Sequence, residues 1–256
     1  MPNVVVLAKY VPNPGGTPEM GDDFRLKREG VEGALDPGDE PGVEAGLKLV
    51  EAAGGEVTVL SMGPEPANAA VRRALSMGAH KGVLITDDSL KGADAWVTAQ
   101  VLAAAIKRQN PDVVIAGVES TDGSTGTMPM ALAELLGLPS LTFARHLELK
   151  NGSVVVHRQT ETGYQVVEAP LPVLITVTAG INDPRYPTLK GIMQAKQKPM
   201  EQLTVGDLGL SGDQVKPTQE VIGIEPAPEK KAGEVIEDGA EAPARVVQIL
   251  KDAKVI

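Results

Sequence analysis

Short runs of branched apolar residues alternate with longer amphipathic stretches along most of this chain. Asn3–Leu7, Val57–Leu60, Val83–Ile85, Val113–Ala116 and Leu141–Phe143 are rich in Val, Leu and Ile, as strands buried on both faces are. Between them the apolar residues recur at helical spacing. Val43, Leu47 and Val50 form one stripe, in a helix expected to begin at Asp36-Pro37 with Asp as N-cap and Pro at the first helical position. Val71, Ala74 and Leu75 mark a second helix over Ala67–Met77, and Ala93–Gln109 and Met128–Leu136 read as two more. Strands alternating with helices of this length predict an α/β fold, a Rossmann-like parallel sheet with helices on both faces.

The pattern then changes twice. Leu147–Leu149 and Val154–His157 flank Asn151-Gly152, which suits a type I′ turn and predicts a β-hairpin, with Tyr164–Glu168 and Val173–Val177 as further strands. Residues 199–241 are rich in Pro, Gly and acids and lack periodicity, so they are expected to run over a surface. Helical spacing returns over Ala244–Ala253. The expected organisation is therefore a domain over residues 1–198 and an arm over 199–256 that ends in a helix expected to dock on a partner subunit, an independent lid or a frayed tail being the plainer alternative.

Composition narrows the function. Hydrophobic residues make up 42% of 256 residues and aromatics only 2%, so the core is built from aliphatic side chains. A net charge of −10 repels a phosphate backbone and argues against nucleic-acid binding. There is no cysteine, which removes disulfides, thiolate nucleophiles and Cys-ligated metals together. The apolar runs are strand-sized, too short to span a membrane, and the first strand follows Met-Pro-Asn without a charged leader. A cytoplasmic location is the expectation. His80, His146 and His157 are scattered, and no acid–base or metal-ligand spacing stands out.

In open α/β sheets ligands bind beyond the carboxyl ends of the strands. Those ends are Leu7-Ala8-Lys9, Ser61-Met62-Gly63-Pro64 and the stretch G-V-E-S-T-D-G-S-T-G from Gly117 to Gly126. In the third, Gly123 and Gly126 let amides turn toward an anion. Ser120, Thr121, Ser124 and Thr125 supply hydroxyls, and the next helix presents its N-terminus. Such a loop suits a nucleotide phosphate. It is neither a Walker A loop nor a G-x-G-x-x-G fingerprint, so by residue type alone a solvated loop is the simpler description.

One segment is far more particular. Asp183 to Pro199 reads D-P-R-Y-P-T-L-K-G-I-M-Q-A-K-Q-K-P. Pro184 and Pro187 fix the backbone around Arg185 and Tyr186. Leu189, Ile192 and Met193 follow at helical spacing, with Lys190, Lys196 and Lys198 expected to point away. Packing of that stripe on the chain's own core is the plain alternative to a partner contact. The order R-Y-P-x-L-x-x-I-M-x-A-K-x-K-P resembles the β subunit of the electron transfer flavoproteins. The resemblance extends through VVVLAKYVP, LDPGDEPGVEAGLKLVEA, VTVLSMGP, AVRRALSMGAHKGVLI, DVVIAGVESTDGSTG and LAELLGLPSLTF to the final helix.

The resemblance implies a heterodimer in which this chain binds AMP structurally and helps hold an FAD carried mainly by an α subunit. The nucleotide positions it carries over are Leu7 and Ala8, with Lys9 beside them, Asp36, Pro37, Gly38 and Asp39, Met62 and Gly63, and Glu119, Ser120, Thr121, Asp122, Gly123, Ser124, Thr125, Gly126 and Thr127. Amides of Leu7 and Met62 would meet the adenine edge and the Ser/Thr loop the phosphate. Electron-bifurcating relatives, which bind a second FAD there, read D-G-D-T-A-Q-V-G-P. Here Asp122-Gly123-Ser124-Thr125 lacks the following Gln-Val, so AMP is expected, with an electron-bifurcating β subunit holding a second FAD in its place as the alternative. The implied partners are the α subunit, donor flavoenzymes of the acyl-CoA dehydrogenase type and an acceptor quinone oxidoreductase. Leu189 would enter an apolar pocket on the donor, with Arg185, Tyr186, Ile192 and Met193 around it. The hairpin would face the flavin; an acidic residue often follows the Arg matching Arg158, and Gln159 stands there instead. An electron carrier without catalytic groups of its own is thus expected. A stand-alone stress-type ATP/AMP-binding α/β domain would explain the loop, but neither the Arg-Tyr-Pro segment nor the arm.

Overall fold

The computed structural model describes residues 1–13, 15–225, 233–237 and 239–256. In chain order the elements are β1 (Asn3–Leu7), β2 (Tyr10–Pro12), β3 (Gly33–Leu35), α1 (Glu40–Ala53), β4 (Glu56–Met62), α2 (Asn68–Met77), β5 (Lys81–Ile85), α3 (Ala95–Gln109), β6 (Val113–Gly117), α4 (Met128–Leu136), β7 (Ser140–Lys150), β8 (Ser153–Thr160), β9 (Gly163–Pro170), β10 (Val173–Val177), α5 (Leu189–Ala195), β11 (Met200–Leu203) and α6 (Ala242–Asp252). Among the described residues one nine-stranded sheet runs in the order β11-β5-β4-β1-β6-β10-β7-β8-β9, and β2 and β3 form a separate ribbon. The pairs from β11 to β7 are parallel; β7, β8 and β9 form an antiparallel meander. The fold is the expected α/β architecture.

Alternation along β1 explains the two layers. Val4 and Val6 join a core with Val43, Leu47 and Val50 of α1 and Val71 and Leu75 of α2. Val5 and Leu7 join the opposite core with Val97, Val101 and Ile106 of α3 and Leu132 of α4. A central parallel strand shares its side chains between both faces, which is why its sequence is continuously apolar.

β7 converts the parallel sheet into the meander. Its first residues pair with β10 and its remainder with β8, with register shifts near Phe143 and His146. Phe143 takes a left-handed conformation (φ 53°), and its amide donates to Thr176 Oγ1 at 2.9 Å. The Asn151-Gly152 turn connects β7 and β8 as the sequence predicts, with Gly152 at φ 85°. The predicted strand Leu141–Phe143 is therefore only the start of an eleven-residue strand.

Two expectations are corrected. The helix expected at Asp36-Pro37 begins at Glu40, because the Asp36 side chain accepts from Gly38 N at 2.8 Å and closes a turn instead of capping. The chain also does not leave the domain after residue 198. β11 adds to the sheet edge beside β5, and Leu203, Val205 and Val215 are buried in the α3/α4-side core. Asp94 caps α3 through Val97 N and also accepts from Thr218 N, Thr218 Oγ1 and Gln219 N. The compact unit accordingly extends from Met1 to Val221. Residues 222–256 form a second unit, in which α6 has no buried residue and Arg245 pairs with Glu234.

Candidate nucleotide site and partner face

The strand order creates one switch point. From β1 the chain moves outward through β4 and β5, then returns through α3 to β6 on the other side of β1. Connections that diverge from neighbouring strand ends leave a crevice between them. The carboxyl ends of β1 and β6 meet there, and so do Lys9, the turn Asp36–Asp39 and the loop Glu119–Thr127.

These segments are stitched together by side chains. Lys9 Nζ donates to Ser120 Oγ at 3.0 Å and to Asp122 Oδ1 at 2.6 Å. Asp36 Oδ2 accepts from Thr121 N at 2.8 Å and Thr121 Oγ1 at 3.1 Å. Asp39 Oδ2 accepts from Lys9 N at 2.7 Å. Gly117 is required at the end of β6, since a Cβ there would lie 2.8 Å from Asp39 Oδ1. Both aspartates are buried, so their carboxylates position the loop and do not present themselves to solvent.

Their electrostatics differ from that of Asp122. Burial, and next the adjacent Asp36 carboxylate, push the Asp39 carboxyl up from its ordinary 3.8 to about 7, against the Lys9 N–H and charge. Burial also acts to raise Asp122, but hydrogen bonds and charge from Lys9 and Arg28 outweigh it and hold that carboxyl below its ordinary range. Arg28 reaches Asp122 Oδ2 at 2.8 Å from the long charged loop after β2. Sequence reasoning missed it, because a single arginine in an aperiodic loop carries no local signal.

The other half of the loop is exposed. Ser124 and Gly126 have positive φ (45° and 61°), and the stretch Gly123–Thr127 is exposed. The amides of Gly123, Thr125, Gly126 and Thr127 have no partner among the described residues, and Thr127 does not cap α4 with its side chain. Successive unpaired amides leading into a helix make an anion-binding concavity. Leu7 and Ala8 are buried, and the amides of Ala8 and Gly63 are committed to Leu60 O and Ile85 O. Pro37 is exposed beside the half-buried Gly38, and Met62 ends β4 in register with Ile85.

The Arg185 segment is a second, separate feature. The Arg185 guanidinium donates to both oxygens of Glu44 (2.7 and 3.0 Å) and both oxygens of Glu51 (2.6 and 3.0 Å). Glu44 is 3% exposed, and this pairing raises the Arg185 pKa beyond the usual arginine value, Glu51 first and Glu44 second. Arg185 is thus a clamp onto α1, with its side chain 36% exposed. Tyr186, Leu189 and Met193 are 86%, 77% and 65% exposed, and Ile192 is also exposed.

The cause lies in the small residues of α5. A Cβ on Gly191 would stand 2.5 Å from Ser76 O, and Ala195 is buried, so the helix lies against α2 through its glycine and alanine. Thr188 caps it, accepting from Gly191 N at 3.0 Å. Lys198, expected to point away, instead donates to Leu75 O (2.9 Å) and Ala79 O (2.6 Å) at the end of α2, where burial lowers its pKa.

Residues 23–208 match the electron transfer flavoprotein domain family. The electron transfer flavoprotein subunits beta of Mycobacterium tuberculosis and Mycobacterium bovis are each 41% identical over 266 residues, covering 100% of both chains. The chain belongs to the electron transfer flavoprotein β-subunit family. The subunit beta of Thermoanaerobacterium thermosaccharolyticum is 37% identical over 99% of this chain, and the caffeyl-CoA reductase-Etf complex subunit CarD of Acetobacterium woodii is 36% identical over 99% of each.

Electron transfer flavoprotein membership implies a role in electron transport and an association with flavin, and a β subunit implies an α subunit. Among the described residues no helix is long and apolar enough to cross a membrane. In the meander of this β subunit, His146 and His157, far apart in motif terms, lie with ring centroids 4.7 Å apart, and Tyr164 stacks on His157 at 4.5 Å.

Proposed function

We propose that this chain is the β subunit of a heterodimer that holds AMP in the β1/β6 crevice and presents α5 to donor flavoenzymes. The FAD, bound mainly by the α subunit, supplies the acceptance and release of electrons. This chain's own residues bind and orient. The amides of Gly123, Thr125, Gly126 and Thr127 and the hydroxyls of Ser124 and Thr125 suit a phosphate, while Lys9, Asp36 and Asp39 fix the loop that carries them. Donors of the acyl-CoA dehydrogenase type and an acceptor quinone oxidoreductase complete the reading.

The observation that carries it is the exposure of Leu189 on a clamped, proline-flanked segment. A residue meant for the core would not be left 77% exposed while Gly191 and Ala195 take the inward face. Its pre-organisation lowers the entropy cost of docking, and burying the leucine is worth about 1.5–3 kcal/mol. Leu189→Ala in the heterodimer should slow reduction by an acyl-CoA dehydrogenase about tenfold, leaving FAD content and melting temperature within the small range of surface substitutions. A drop in melting temperature with unaltered donor kinetics would make Leu189 a packing residue.

A further inference from the structure

The long loop between β2 and β3 leaves the end of β1 and returns just before the turn Asp36–Asp39. Its stretch 15–32 has no buried residue and folds on itself through one bridge, Met20 with Leu26. A segment without a core of its own is held by the few polar contacts it makes. Those contacts fall on two other loops. Beyond β6, Arg28 donates Nε to Asp122 Oδ2 at 2.9 Å and sets Nη2 2.8 Å from the same oxygen. Beyond β5, Glu29 pairs with Lys91, and the Arg25 guanidinium lies against Gly92, where a Cβ would stand 2.0 Å from Nη1. In the sheet order the ends of β4 and β1 lie between these two attachments. The stretch therefore spans the mouth of the crevice. Its attachments are unequal. Glu29 and Lys91 are both exposed, and such a pair contributes little. The Asp122 side chain is 3% exposed, so its pair with Arg28 is screened less.

We propose that residues 15–32 are a strap that retains the nucleotide, and that Arg28 on Asp122 is its latch. The proposal rests on the nucleotide reading above and adds what governs the ligand's departure. Asp122 belongs to the same loop as the unpaired amides of Gly123, Thr125, Gly126 and Thr127. A ligand that orders those amides keeps Asp122 in place for Arg28, and the closed latch in turn keeps the loop shaped for the ligand. By linkage each favours the other to the same extent. Opening is also permitted by the charges present. When Arg28 lets go, Asp122 still has Lys9 Nζ at 2.6 Å, so its buried carboxylate is not left without a cation. Arg28 is thus a positioning residue: it acts on the ligand through Asp122.

The test uses the purified heterodimer loaded with radiolabelled AMP, whose release is followed after dilution into unlabelled AMP over a range of KCl. Release from the parent should quicken as KCl rises, because salt screens the latch. Arg28→Gln should release AMP about tenfold faster at low salt and lose most of that salt dependence. Arg28 is exposed in a segment with no buried residue, so the variant folds. Arg28→Lys, which keeps a cation for Asp122, should stay near the parent. An Arg28→Gln release that matches the parent, or is faster but equally responsive to salt, overturns the latch and leaves the nucleotide reading standing. A parent that binds no AMP at all sinks that reading, and the strap with it.

Discussion

Arg185 illustrates how one side chain decides what its neighbours can do. By forking onto Glu44 and Glu51 it pins the Arg-Tyr-Pro segment to α1, and Glu44 is buried with this pair as its compensation. Arg185→Ala would leave the buried Glu44 carboxylate with Lys48, at 3.8 Å, as its remaining cation and should cost about 3 kcal/mol, read as a lower denaturation midpoint of the heterodimer. A midpoint unchanged from the parent would show that water replaces the guanidinium. Asp39 gives a pH signature. Its folded pKa of about 7 exceeds its ordinary value of 3.8, so the folded chain binds this proton more readily. The stability it contributes is full below about pH 4 and is lost as pH rises through about 7. Asp39→Asn, which keeps an acceptor for Lys9 N, should therefore be more stable than the parent at about pH 8 and lose the slope between about pH 4 and 7. Thermal melts across that range check this; an unaltered slope would mean that Asp39 stays ionised. Asp36 and Asp39 could be named from the sequence as site residues, but their role as internal braces could not, since it depends on partners from Lys9 to Thr121. Arg28 could not be named at all.

At the scale of elements, α5 is where periodicity taken alone points the wrong way. Periodicity identified the stripe Leu189, Ile192 and Met193, and an amphipathic helix ordinarily turns such a stripe inward. The small residues win here because Gly191 lets the helix backbone approach Ser76 O. Gly191→Ala should push α5 off α2 at a cost of about 1–3 kcal/mol and slow donor reduction at the same time. Loss of stability without kinetic change would separate the α2 contact from the recognition face. The strands of the parallel sheet were legible because strands buried on both faces are continuously apolar. β11 was not, since a four-residue edge strand reading M-E-Q-L has neither alternation nor a β-branched run. The hairpin turn was legible from Asn151-Gly152, whereas the length of β7 depends on a register shift that only its two neighbours define.

For the whole molecule, the topology does more than any single motif to place the candidate site. The loop Glu119–Thr127 is unremarkable as a string of residues; it gains meaning from following β6, next to β1, where the connections diverge. The Arg-Tyr-Pro segment named the family from sequence, and relatives at 41% identity over full length agree. The identity of the nucleotide is the central claim that rests on these pieces together. The heterodimer should be purified, denatured and its released cofactors separated and quantified against protein. One FAD and one AMP per heterodimer is the predicted result; two FAD and no AMP, or no adenine nucleotide beyond the single FAD, would contradict it.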